Sequence, residues 1–215
     1  MKKIFLSLLA LICIADIANA QKVIFAVSAG VANANTFIKV DYMKIKGFSA
    51  KNGFTGGVSA TIPFSKQFCF QPAVNFVQKG YKNDEYKTAL TVNFIEVPLN
   101  IMFNTRNKNF GNKKADDFFF AIGPSVAFSS SGEYKYKTDS GTITEKVKFG
   151  NSNKDDMKSI DLGANIVMGC QFFNNIFFSI NYNMGFTNLS TGKDNRYRNS
   201  YLAFKVGYSF GNNKR

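Results

Sequence analysis

Histidine and tryptophan are both missing from this sequence, and cysteine is rare. Without histidine, the chain lacks the commonest general base and the commonest metal ligand. It also contains no phosphate-binding loop, zinc pattern or dinucleotide fingerprint. Runs of the helix-favouring residues Leu, Glu and Ala are missing, whereas 24 Phe, 9 Tyr and 17 Gly favour strands and turns. We therefore expect an all-β protein without a cofactor.

The N-terminus has the features of a secretory signal. Two lysines at positions 2 and 3 precede an apolar stretch over residues 4–17, and Ala18-Asn19-Ala20 supplies the small residues of a cleavage site. We predict cleavage between Ala20 and Gln21. Residues 1–20 are then the signal peptide, and residues 21–215 are one exported domain.

Two other interpretations of the N-terminus are disfavoured. A lipoprotein anchor at Cys13 would need a small residue before the cysteine, and Ile12 is bulky. A retained membrane helix would need a longer apolar run than this one. After the signal, polar residues interrupt every apolar stretch well before the ~20 residues of a membrane-spanning helix.

The charge balance is strongly basic, with 27 Lys and Arg against 14 Asp and Glu. Removing Lys2, Lys3 and Asp16 with the signal leaves 25 basic and 13 acidic residues. In a cytosolic protein this excess would indicate nucleic acid. An exported protein instead meets the anionic headgroups of a bacterial outer membrane. We interpret the basic residues as loop solvation first and as contacts with outer-membrane lipid second, with no nucleic-acid partner.

Segments with an apolar residue at every second position occupy much of the mature chain. The clearest is 201–210, where bulky apolar residues at the even positions alternate with Tyr, Ala, Lys, Gly and Ser. Segments 176–186 and 160–171 repeat this pattern. Small residues opposite the bulky ones suit a crowded interior, so the bulky face is expected to meet lipid. The alternative is a secreted soluble β-protein, with its apolar face inside.

Eight such segments can be counted, and most have the ~9–11 residues that a tilted strand needs to cross the hydrocarbon layer. They lie near residues 22–31, 54–62, 67–78, 90–103, 117–128, 159–171, 176–187 and 199–210. The predicted fold is an all-β transmembrane antiparallel up-and-down β-barrel of about eight strands. Strand parity places Cys69 and Cys170 on opposite faces of the wall, so we expect no disulfide between them.

The connectors alternate in length, as they do in barrels with short periplasmic turns and long outer loops. Residues 63–66 and 172–175 are short, whereas 32–53 and 129–158 are long. Residues 104–116 are the exception, an unusually long connector on the periplasmic side.

The long connector 129–158 has some order of its own. Strand-like alternation on both sides of Asp139-Ser140-Gly141 predicts a hairpin that projects beyond the membrane. Such a hairpin is either simply solvated or a recognition surface for a protein partner.

Six local motifs, in order along the mature chain, resemble those of PorT-like outer-membrane β-barrel proteins. They are Phe70–Gly80, Phe94–Leu99, Phe120–Pro124, Ser159–Gly163, Tyr182–Asn188 and Val206–Phe210. Members often carry a glutamate soon after the proline of the first motif, where this chain has Ala73 and Val74. The resemblance implies an outer-membrane barrel of about eight strands without catalytic residues. The namesake of the family is linked to protein secretion across the outer membrane.

The aromatic Phe210 closes the last segment near the C-terminus. In barrels generally, such a terminal segment is recognised by the barrel-assembly machinery, which we expect to be a partner during insertion.

Few charged residues fall on the predicted interior face. They are Glu96, Asp161 and Lys205, and the surrounding amides include Asn165 and Asn181. A buried charge is tolerable only when it is paired, and eight strands enclose little more than their own side chains. We therefore interpret these residues as a structural polar plug, in which Lys205 pairs with Glu96 or Asp161. A proton or substrate path is the alternative.

Three hypotheses for function follow. The first is a structural or interaction module, serving as an accessory in secretion or envelope integrity. The second, a small-solute pore, needs a continuous water path. The third, a lipid-acting enzyme, needs a serine-lysine or serine-acid cluster at the outer rim. The pairs Asp155-Asp156 and Asp116-Asp117 could bind calcium, but further ligands at motif spacing are missing. We expect no catalytic, cofactor-binding or metal site.

Overall fold

A computed structural model describes residues 23–40, 43–44, 47–105, 117–138, 141–152, 154–172, 175–192 and 195–210. Ten strands lie in these ranges: β1 (Ile24–Val40), β2 (Met43–Lys44), β3 (Phe48–Pro63), β4 (Phe68–Asn83), β5 (Thr88–Asn104), β6 (Asp117–Thr138), β7 (Gly141–Lys146), β8 (Ile160–Gln171), β9 (Ile176–Gly185) and β10 (Arg196–Ser209). The expected signal peptide and its cleavage site at Ala20 and Gln21 lie outside the described residues. So do residues 106–116 and the turn at 139–140.

The eight strands other than β2 and β7 form one closed barrel. Each pairs antiparallel with the next in the chain, in the order β10-β9-β8-β6-β5-β4-β3-β1, and β10 also pairs with β1. The closing register runs from Ala26 opposite Ser209 to Lys39 opposite Arg196. The predicted antiparallel up-and-down barrel of eight strands is confirmed. Among the described residues there is no helix long and apolar enough to cross a bilayer.

The two faces of the wall differ as the period-two pattern predicts. On β10, Tyr201, Ala203 and Lys205 point inward and are buried, whereas Phe204 is 53% exposed on the outer surface. Bulky side chains from every barrel strand cover that outer surface and are called the apolar band here. They include Phe25, Val31, Phe54, Val58, Val74, Phe76, Ile95, Leu99, Phe120, Phe128, Leu162, Met168, Phe178, Tyr182, Leu202 and Phe204. This is the pattern of a narrow barrel in lipid.

Most strands continue beyond the predicted segments on the side of the long connectors. The expected loop 32–53 is largely strand, since β1 reaches Val40 and β3 begins at Phe48. The hairpin expected within 129–158 is present, because β6 continues to Thr138 and β7 pairs with it. The prediction stopped too early because hydrophobic alternation disappears above the apolar band, where the outer face meets water. Backbone pairing continues there without that signal.

Candidate functional site in the barrel interior

An ion cluster closes the middle of the barrel. Lys79 Nζ lies 2.9 Å from Glu96 Oε2 and 3.7 Å from Asp161 Oδ2, and all three side chains are at most 2% exposed. Tyr201 donates a 2.6 Å hydrogen bond from its hydroxyl to Glu96 Oε1. Lys79 also lies over the rings of Phe94 and Tyr201, 4.9 and 5.1 Å from their centroids. These contacts tie β4, β5, β8 and β10 together across the lumen.

The five interior residues named from the sequence all lie inside the wall. Glu96, Asp161, Asn165, Asn181 and Lys205 are each at most 8% exposed. The structure brings Glu96 and Asp161 together through Lys79, whereas the other three residues lie nearer the end with the short connectors.

The predicted partner of Lys205 was wrong. Lys205 donates a hydrogen bond from Nζ to Asn75 Oδ1 at 3.3 Å, and the cation that pairs with both interior carboxylates is Lys79. Lys79 sits higher on the wall and reaches over Phe94 to Glu96. Sequence reasoning overlooked Lys79, although strand parity could have found it. Asn75, Val77 and Lys79 are at alternate positions of β4 and therefore share one face.

An apolar cap lies above the ion cluster, toward the long connectors. Leu90, Val92 and Phe94 of β5 line it and have no exposed surface. Leu189, which is also fully buried, and Met157 enter the same cluster from the connectors. The Leu189 amide donates a 2.8 Å hydrogen bond to the Tyr197 carbonyl, which fixes that connector to β10. The lumen is therefore filled by apolar side chains over the upper part of the wall.

A cavity of about 70 Å³ with both polar and apolar lining lies below the ion cluster. Its lining includes Asn75, Asn100, Asn165, Asn181 and Lys205. Asn165 donates a 3.4 Å hydrogen bond to Asn100. This volume accommodates a few water molecules, and the ion cluster separates it from the opposite end of the barrel.

Asp155 and Asp156, one of the two acidic pairs considered for calcium, accept hydrogen bonds from backbone amides. Asp155 Oδ2 accepts a hydrogen bond from the Ser152 amide, and Asp156 Oδ2 accepts one from the Lys148 amide, both at 2.8 Å. Asp116 lies outside the described residues. Within the described ranges, no group of three or more Asp, Glu, His or Cys could hold a metal ion.

Cys69 and Cys170 form no disulfide with each other. Cys69 is 1% exposed and points into the barrel. Cys170 is half-buried and lies opposite Phe178, a residue of the apolar band, in the register of β8 with β9.

The sequence profile described as "Outer membrane protein beta-barrel domain" matches residues 19–191. Comparison with curated proteins gives no match. Among solved structures, OprG of Pseudomonas aeruginosa is 14% identical, with a TM-score of 0.46 over 89% of this chain and 98% of that one. Ail of Yersinia pestis, in complex with the heparin analogue sucrose octasulfate, is 15% identical, with a TM-score of 0.42 over 88% and 99%. Neisserial surface protein A is 13% identical, with a TM-score of 0.44 over 86% and 96%.

Proposed function

Because the chain belongs to the outer membrane protein beta-barrel domain family, we propose that it is a closed outer-membrane barrel acting as a structural or interaction module. Its contact surface is the end where the strands extend beyond the apolar band, called the rim here. The finer form of the proposal is an accessory task in secretion or envelope integrity, and it rests on the resemblance to PorT-like barrels.

The observation that carries the proposal is the filled lumen. The Lys79, Glu96 and Asp161 cluster spans the barrel, and the apolar cap fills the space above it. A small-solute pore would need a water path through both layers. The interior therefore supports a wall that anchors the rim better than it supports transport.

The hairpin of β6 and β7 supports a role in contacts. All six residues of β7 are exposed, and β6 is its partner in the sheet. β7 lies at the edge of the sheet, and because both of its faces are in water it gains little stability from burial. Exposed backbone and side chains at such a site are available to a partner.

Shortening this hairpin tests the proposal in cells. Tyr136 and Ile143 are paired across β6 and β7, so residues 137–142 can be replaced by an Asn-Gly turn that leaves the pairing of β6 with β5 intact. We expect a barrel that still reaches the outer membrane and shows a heat-dependent mobility shift on a denaturing gel. Envelope integrity, measured as sensitivity to bile salts and large antibiotics, should fall to the level of a deletion strain.

The matched control changes the opposite end, where Phe64-Ser65-Lys66 is replaced by Gly-Ser-Gly. This variant should retain envelope integrity. Full complementation by the shortened variant would contradict a role for the rim. Discrete conductance steps from the wild-type protein in planar bilayers would favour the pore instead.

A further inference from the structure

The outer surface of β4, β5 and β6 changes from apolar to polar above the apolar band. Phe76, Ile95 and Phe128 form one row across the three strands and mark the upper edge of the band there. Two residues farther along each strand, apolar side chains give way to amides and hydroxyls.

These polar side chains form a hydrogen-bonded ladder. Gln78 donates to Asn93 at 3.0 Å, and Asn93 donates to Ser131 at 2.9 Å. Asn33 donates to Asn52 at 2.7 Å on the neighbouring strands β1 and β3. Amides paired along the wall mark the depth at which the protein surface leaves hydrocarbon and meets lipid headgroups.

Above this ladder, three lysines surround a shallow depression in the outer wall. It is formed by Gly80, Ala89 and Thr91 and is called the floor here. Ala89 of β5 is paired with Lys82 on one side and with Lys135 on the other, so the two lysine backbones are about 10 Å apart. Lys51 Nζ donates a 2.5 Å hydrogen bond to Thr91 Oγ1, one row below. The floor is low because Ala89 is small and Gly80, opposite Thr91, has no side chain.

Gly80 cannot be replaced by a larger residue without disturbing this floor. Its φ is +147°, and a Cβ there would overlap the Leu90 carbonyl. The shape of the floor is thus set by the backbone.

The charges around the floor do not balance. Glu133 is the only acid paired with these lysines in the described part of the chain, and it lies 3.5 Å from Lys135 with both side chains half exposed. Burial and the nearby charges of Lys135 and Lys82 lower the pKa of Lys51. An anion between the three lysines would relieve this repulsion, and a phosphate group has the charge and the acceptor atoms to do so.

The height of the lysines above the apolar band indicates which kind of lipid phosphate reaches them. Ala89 lies six residues above Ile95 on a tilted strand, or about 15 Å above the apolar edge, and Thr91 lies about 10 Å above it. The headgroup layer of a phospholipid bilayer extends only about 5–8 Å beyond the hydrocarbon on each side. A phosphate carried on a saccharide headgroup reaches farther out.

We propose that Lys51, Lys82 and Lys135 form a binding site for the phosphate of a phosphorylated glycolipid in the outer leaflet. The inference deepens the proposed function, on which it rests, because it assigns a lipid partner to the rim. The site lies on the outer side of the wall and is separate from the hairpin tip.

Nanodiscs containing the full mature protein and phosphorylated lipid A test the site. After exchange into detergent, the lipid A molecules that remain bound are counted by native mass spectrometry. The same measurement is made with nanodiscs that contain dephosphorylated lipid A or phosphatidylglycerol instead. We expect selective retention of phosphorylated lipid A. The double variant Lys82→Gln/Lys135→Gln should weaken it about 30-fold, since each lysine near a charged surface contributes about fivefold.

The matched control is Lys66→Gln/Lys154→Gln, which removes the same charge at two exposed positions away from the floor. It should bind lipid A as the wild type does. Folding of each variant is checked by the heat-dependent gel shift, which also separates failure of this site from failure of the barrel. Equal binding by both double variants, equal retention of phosphatidylglycerol, or equal retention of dephosphorylated lipid A would overturn the assignment. Binding of soluble heparin in place of lipid A would do so too.

Discussion

Lys79 and Glu96 face each other inside the barrel, with Nζ 2.9 Å from Oε2, although their backbones are not paired in the sheet. Lys79 is paired with Val92 and reaches diagonally down to the carboxylate. The same ammonium group lies 3.7 Å from Asp161 on the far side of the lumen. One lysine therefore compensates two buried acids, and the stability of the interior depends on it.

Lys79→Met should reduce the free energy of unfolding by about 3–5 kcal/mol, because it leaves two buried carboxylates without a cation. Urea titration of the protein in lipid vesicles, followed by the gel shift, measures this change. Lys205→Met should cost less, since Lys205 contacts an amide. Equal losses for the two variants would show that the ion cluster is not the main support.

Gly185→Ala should destabilise the barrel by about 1–3 kcal/mol through overpacking. A Cβ at Gly185 would lie 2.7 Å from Asp161 Oδ1 and 2.8 Å from the Asn199 carbonyl oxygen. The control is Gly192→Ala. Its Cβ would lie 3.1 Å from Nδ2 at the end of the Asn195 side chain, and all other atoms would be farther away than 3.4 Å. Urea midpoints of the two variants check the prediction, and a Gly185→Ala midpoint as high as that of Gly192→Ala would contradict it.

The hydroxyl of the partly buried Tyr134 should make the free energy of unfolding fall at alkaline pH. Tyr134 lies on β6 beyond the apolar band, and burial raises its pKa above 10.0, with smaller contributions from Tyr81 and Asp156. Above pH ~10 the unfolded chain loses this proton first, so the free energy of unfolding falls until the pH reaches the raised pKa.

Tyr134→Phe should weaken this pH dependence between pH 9 and 12, measured by urea midpoints in detergent. Tyr86→Phe is the control, since Tyr86 is 70% exposed. An unchanged slope in Tyr134→Phe would mean that Tyr134 ionises in the folded protein as it does in the unfolded chain.

The mature protein should begin at Gln21. Intact-mass measurement of the outer-membrane form would detect loss of residues 1–20, and Ala18→Leu/Ala20→Leu should block this loss by removing the small residues at the cleavage site. A mature chain that begins with lipid-modified Cys13, or that retains Met1, would refute the cleavage.

Much of the wall could be predicted from single strands. Alternation on β10 assigns Tyr201, Ala203 and Lys205 to one face, and burial of all three agrees with that assignment. The upper ends of β1, β3 and β6 could not be located in this way. Their polar residues carry no period-two signal once both faces of the strand leave the hydrocarbon.

The plug shows where strand-by-strand reasoning stops. That Glu96, Asp161 and Lys205 point inward follows from parity alone. Their contacts depend on the register between strands, which sets the height of each side chain in the lumen. Lys79 and Asp161 belong to strands that are not neighbours in the sheet.

The sequence by itself determined the order of the strands along the wall and the two faces of each strand, because alternation and connector length are local properties of the chain. Only the tertiary structure decided that Lys79 is the central cation, that connector residues such as Leu189 cap the lumen, and that Lys51, Lys82 and Lys135 meet on the outer wall. Each of these contacts joins residues from different strands or connectors. Their positions are set by register, twist and barrel closure together, and no single segment of sequence specifies those.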